Sequence, residues 1–164
     1  MIRPGRLDDL AALTEIYNHY VLTSPATFDL EPFEVDQRLD WFGHYAQSGP
    51  HRLLVAAGDA GPLGYATSGR WRPKPAYETT VETTVYLRPE ATGQGVGQEL
   101  YAALFAELAG EDVRRAVAGI VPPNDASIRL HRQFGFREVG RFTEVGRKFG
   151  RYWDVLWFEK TLPA

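Results

Sequence analysis

Three glycines at alternate positions, in Gly93-Gln94-Gly95-Val96-Gly97, separate a segment with strand character from one with helical character. A helix N-terminus leaves backbone N–H groups without partners and carries partial positive charge, so it suits phosphate. Glycine at 93, 95 and 97 removes side chains that would block a pyrophosphate and permits the φ values of a tight anion-binding turn. The segment Gly93 to Gly97 is therefore a candidate pyrophosphate seat. Two other phosphate loops do not fit the spacing. A dinucleotide fingerprint needs glycine where Gln98 stands, and no Lys-Ser/Thr pair follows for a Walker loop. Glu82, on the strand ahead of the loop, could accept a proton directly or through a water, more so if burial raises its pKa. His131 has an ordinary pKa that suits giving or taking a proton near neutrality. Arg70, Arg72 and Lys74 lie close together before Glu82 and could hold a carboxylate and a second anionic group. Phe28 and Trp71 are candidate walls for such a site. Each feature also has a plain structural reading: a turn, an exposed strand carboxylate, a packed helical histidine, a solvated basic loop, two core aromatics.

Composition narrows the chemistry. The 164 residues contain no cysteine, which removes disulfides, thiolate metal sites and a cysteine nucleophile. With no H-E-x-x-H spacing either, no metal is expected. Eighteen basic residues are dispersed among 21 acidic ones for a net charge of −3, so no basic stripe awaits nucleic acid. No apolar run has the length of a signal peptide or membrane span, and the expectation is a cytoplasmic protein without a membrane partner. Hydrophobic residues at 44% and charged residues at 24% describe an ordinary folded chain, expected to form one domain over residues 1–164.

The elements that must position these residues follow from periodicity. Ile2-Arg3-Pro4 is a short strand, and Leu10, Leu13, Tyr17 and Tyr20 mark an amphipathic helix. After Pro32, Val35, Leu39, Phe42 and Ala46 share one face of a second helix, with Asp36, Arg38 and Asp40 off it. Leu53 to Ala57 and Leu63 to Trp71 form a hairpin around Asp59-Ala60-Gly61. In the strand Thr79 to Leu87, period two sets Val81, Thr83, Val85 and Leu87 on one face and Thr80, Glu82, Thr84 and Tyr86 on the other. A helix carrying Leu100, Leu104 and Leu108 runs from Gly95 to a stop near Gly110. A strand from Ala116 to Val121, a helix ending at Gly135, and a hairpin from Arg137 to Thr143 and Tyr152 to Thr161, turning through Gly146 to Gly150, complete the chain. The plan is a mixed α/β (α+β) domain with a mainly antiparallel sheet flanked by helices, not a doubly wound one.

Thr92-Gly93-Gln94-Gly95-Val96-Gly97 resembles the R/Q-x-x-G-x-G/A signature of the GNAT superfamily of N-acetyltransferases, with Thr92 where the family usually has arginine or glutamine. The segment from Asn124 to Gly135-Phe136 resembles the family's late helix, with His131 in a place commonly held by tyrosine. The strings Thr80 to Tyr86, Arg129-Leu130-His131, Ile16-Tyr17-Asn18-His19 and Lys148-Phe149-Gly150-Arg151 are similar to the branch that acetylates phosphinothricin and methionine sulfoximine. The resemblance implies acetyl-CoA as co-substrate, with the backbone of Val85, Tyr86 and Leu87 pairing with pantetheine and Asn124 touching the same arm. Gly93, Gln94, Gly95, Val96, Gly97 and Gln98 would hold pyrophosphate. It implies a small-molecule amine acceptor, bound with help from Arg72 and Pro75-Ala76-Tyr77, Glu82 as general base, and His131 as a proton donor or second base. It also implies a homodimer. An acceptor that is a protein N-terminus or a polyamine stays open, as does an acyl-CoA sensor without catalysis, because fold does not fix substrate.

Overall fold

The computed structural model describes residues 1–163. Seven strands form one sheet in the order β1-β2-β3-β4-β5-β7-β6. They are β1 (Ile2–Pro4), β2 (Arg52–Gly58), β3 (Gly61–Arg70), β4 (Thr80–Leu87), β5 (Arg115–Ile120), β6 (Arg137–Lys148) and β7 (Arg151–Thr161). Among the described residues, only β4 and β5 pair in parallel. The helices are α1 (Leu10–Thr23), α2 (Leu39–Gly43), α3 (Val96–Leu108) and α4 (Asp125–Gln133). The mixed plan read from the sequence is the one that forms.

Strand alternation divides the molecule into two cores. Leu54, Ala56, Ala66 and Val81 point to the face covered by α3, where Leu100, Leu104 and Leu108 are buried at the expected helical spacing. Leu53, Val55 and Tyr65 point to the other face and pack under Leu13 and Ile16 of α1. β4 obeys the same rule. Val81, Val85 and Leu87 join the α3 core, while Tyr86 joins the α1 core. Glu82 and Thr84 therefore face the α1 side with Tyr86.

Three expectations are corrected. The helix after Pro32 is a single 3-10 turn, Asp36–Arg38, running into the five-residue α2, and it is rotated relative to its apolar pattern. Val35 and Leu39 are 42% and 49% exposed, whereas Arg38 is 5% exposed. Gly110 does not adopt the left-handed C-cap conformation, and α3 closes instead with Ala109 N–H bonded to Phe105 O. The last hairpin is longer than expected. β6 continues to Lys148, and a two-residue turn of Phe149 (φ 54°) and Gly150 (φ 70°) makes the reversal. Lys148 then lies buried, donating to Ser24 O and Thr27 O at 2.7 Å each, which ties the hairpin tip to the loop after α1.

Candidate active site

β4 and β5 are in register only over Thr80↔Arg115, Val81↔Ala116 and Glu82↔Val117. Beyond Glu82 they part, so the β5-facing edge of Thr83 to Tyr86 borders a cleft of about 70 Å³ rather than another strand. Ala118 to Val121 form the opposite wall, and Asn124, Ser127 and His131 of the α4 region close one end. An extended chain entering such a cleft can pair with an unused strand edge as a peptide would.

The glycine loop lies where β4 gives way to α3. Gly93 (φ 74°) and Gly95 (φ 84°) occupy the left-handed region, with Gly95 as the residue immediately before α3. Among the described residues, nothing accepts a hydrogen bond from the backbone amides of Gly93 to Gln98. A run of unpartnered amides at a helix start is a seat for an anion. Thr92 does not reach into it: its Oγ1 donates to Pro89 O at 2.7 Å. The Gln94 side chain turns back likewise, donating to Glu90 O at 2.6 Å.

Asn124 caps α4, with Oδ1 accepting from Ser127 N–H at 3.2 Å. That leaves its Nδ2, on a residue lining the cleft, with no partner among the described residues. His131 is 3% exposed, and both ring nitrogens are engaged. Nδ1–H donates to Ser127 O at 2.7 Å, since a carbonyl can only accept, and Nε2 then accepts from Tyr101 O–H at 2.9 Å. Burial pushes its pKa down, so the ring is held neutral.

On the α1 face of the sheet is a second, larger cavity of about 290 Å³. Tyr17, Phe33, Trp41, Tyr45, Tyr65 and Tyr86 make its aromatic walls, and Asp29, Gln37, Arg38, Arg70 and Glu82 supply its polar groups. The aromatic rings brace one another, with Tyr17 edge-on to Tyr86 at 5.3 Å and Trp41 edge-on to Tyr65 at 5.7 Å. Tyr17 O–H bonds Thr27 Oγ1 at 2.6 Å and donates to Asp29, and burial is the main cause that pushes its pKa up to about 12. Glu82 borders both this cavity and the cleft between β4 and β5. Burial raises its carboxyl above the usual range, and the charge of Arg72 partly opposes that rise.

The structure thus gathers Glu82, Val85, Tyr86, Asn124 and His131 around one cleft and sets the glycine loop just beyond Leu87. It does not bring Arg72, Pro75, Ala76 or Tyr77 to either cavity. Pro75–Tyr77 is an exposed 3-10 turn, and Trp71 packs between Arg72 and Tyr77 instead of walling the site. Phe28 packs close against Gly146. Tyr17, Trp41 and above all Arg38 are cavity residues that the sequence pattern does not single out. Tyr17 and Tyr20 at helical spacing were the available signal, and they read as core.

A model of the acetyltransferase (GNAT) domain matches residues 2–157. The chain belongs to the GNAT acetyltransferases. It is 57% identical over 163 residues to a phosphinothricin N-acetyltransferase of Streptomyces coelicolor, covering 98% of this chain and 95% of that one. It is 38% identical over 162 residues to an L-methionine sulfoximine/L-methionine sulfone acetyltransferase of Pseudomonas paraeruginosa, covering 98% and 94%. A putative acetyltransferase from Salmonella typhimurium, solved with its cofactor acetyl-CoA, superposes with a TM-score of 0.94 at 36% identity, covering 100% of this chain and 94% of that one. The GNAT membership and fold expected from the glycine loop and the late helix are therefore correct.

Proposed function

We propose that this N-acetyltransferase moves an acetyl group from acetyl-CoA to the amino group of a small amino-acid-like acceptor of the phosphinothricin, methionine sulfoximine or methionine sulfone type. The observation that carries this reading is the position of Glu82, which borders the donor-side cleft and the acceptor-side cavity together. The amides of Gly93 to Gln98 are matched to a pyrophosphate, and the open edge at Val85 and Tyr86, with Asn124 Nδ2, is matched to the amide-bearing arm behind it. An aromatic cavity of about 290 Å³ suits a small acceptor.

Glu82 takes a proton from the acceptor ammonium, directly or through a water. A carboxyl raised by burial is better matched to that task than an ordinary one. The neutral amine attacks the thioester carbonyl, backbone N–H groups near Val85 to Leu87 steady the developing oxyanion, and the C–S bond then breaks to release CoA thiolate, which takes up the proton shed by the new amide nitrogen. No covalent acetyl-enzyme is formed. We assign His131 to holding α4 against α3 through Tyr101, because neither ring nitrogen is free for the departing thiolate. A thiol-release assay with acetyl-CoA across phosphinothricin, methionine sulfoximine, methionine sulfone, polyamines and peptide amines tests the reading. Release confined to the amino-acid analogues is expected. Binding of acetyl-CoA without release for any amine overturns it.

We also propose a homodimer, supported by Val139, Phe142, Val145, Phe149 and Tyr152, all exposed on the β6–β7 hairpin. Light scattering should return twice the 18.4 kDa chain mass.

A further inference from the structure

Arg38 is a buried cation without an anion. Its residue is 5% exposed, and Nη1 is shielded from solvent with no hydrogen-bond partner among the described residues. It belongs to none of the ion pairs of the described chain. What it does have is two aromatic faces: its guanidinium carbon sits 3.8 Å from the Trp41 ring centroid and 4.4 Å from that of Tyr17. Stacking uses the flat faces of the guanidinium; its edge interacts with the Tyr65 hydroxyl, and Nη1 is left without a partner. A charge withdrawn from water in this way is costly unless something pairs with that edge.

The other charges around the cavity are already occupied or differently placed. Asp29 accepts from Tyr17, and Arg70 is exposed. Glu82 remains, and both Glu82 and Arg38 act on Tyr45, whose pKa the former raises and the latter lowers. Glu82 and Arg38 line the same cavity of about 290 Å³. Opposite charges on the walls of one small cavity match an acceptor that carries both an ammonium and a carboxylate.

We propose that Arg38 is the anchor of the acceptor's carboxylate, pairing with it through the unpartnered Nη1 and so presenting the α-amino group to Glu82. This rests on the acetyltransferase reading above, and it moves the main anion contact from the exposed Arg72 to a residue that the amphipathic pattern turns outward. Trp41 and Tyr17 hold the guanidinium flat, and the Asp36–Arg38 turn fixes its root. Free α-amino acids then become substrates, and amines lacking the carboxylate become poor ones.

The test compares wild type with R38M and R38K on L-methionine sulfone and its α-carboxamide, by thiol release and, in parallel, by calorimetric binding of each acceptor without acetyl-CoA. R38M should lower kcat/KM for the amino acid by about 100-fold or more, chiefly through KM, and change the carboxamide by less than about threefold. R38K should recover part of the loss, because it restores charge without the bidentate edge. The apo Tm of R38M should equal or exceed that of wild type, since an unpaired buried charge has been removed. Equal losses for amino acid and carboxamide would mean a structural role and overturn the proposal. So would a loss on phosphinothricin that persists with its carboxamide, which would assign Arg38 to the tail anion. A wild type that binds methionine sulfone but releases no thiol rejects the catalytic reading, and the binding comparison still decides the role of Arg38.

Discussion

The donor side and the acceptor side meet at Glu82 and are made of different material. The donor side presents backbone: amides of Gly93 to Gln98 and the unpaired edge of β4. The acceptor side presents side chains, six of them aromatic, with a cation stacked among them. A backbone site is set by φ, ψ and strand divergence, so it tolerates a residue such as Thr92, whose side chain turns away from the loop. A side-chain site is set by packing, and each of its members limits what can bind. Substitutions at the junction should therefore strike turnover, those in the loop should strike the donor alone, and those behind the cleft should strike stability.

The junction gives the largest effect. Glu82→Gln keeps the shape and removes the base, so kcat should fall by roughly 10²- to 10⁴-fold while the Kd of acetyl-CoA, measured by calorimetry, stays put. Unchanged turnover would remove Glu82 from the proposed chemistry. Next comes the loop. Gly95→Ala forces a side chain into φ 84°, where no neighbouring atom would obstruct it, so the penalty is backbone strain alone. The KM for acetyl-CoA should rise about tenfold with acceptor KM unchanged. A rise in acceptor KM of the same size would show that the two sides are not separable.

Behind the cleft, His131→Gln should cost about 1–3 kcal/mol of stability in chemical denaturation, because the Tyr101–His131–Ser127 chain is buried and each break strands a partner. Turnover at saturating substrate should stay within a few-fold, and the pH profile should keep its form. A pH limb that disappears in this variant would return His131 to proton transfer.

The two sides also differ in how far a sequence discloses them. Alternating glycines, the Leu100-Leu104-Leu108 stripe and the two faces of β4 were legible, since period and φ preference act locally and the structure follows them. The segment around Arg38 was not. Pattern reading assumes that the inward face of a helix is apolar, but here the inward face lines a ligand cavity, so Val35 and Leu39 turn out and Arg38 turns in. The extra length of β6 was hidden for a related reason. Gly146 reads as a turn, yet it sits mid-strand because the Phe28 ring packs where its side chain would be. Both misreadings depend on contacts from distant elements, which no local window contains.

The smallest effect belongs to the junction again, read this time as stability. Burial raises the Glu82 pKa in the folded protein above its unfolded value, so the folded state binds the proton more tightly. Stability contributed by that proton is complete below the unfolded pKa and is lost as pH rises through the folded one. At neutral pH the ionised carboxylate is thus a burden that Glu82→Gln relieves. The variant should melt roughly 1–4 °C above wild type at pH 7. The gap should close as pH falls below the ordinary carboxylate range, near 4. An enzyme less active and more stable at neutral pH, with the stability gain vanishing in acid, would tie the cost to the charge that the acceptor side needs. A gain independent of pH would tie it to packing and leave the donor and acceptor sides without their electrostatic hinge.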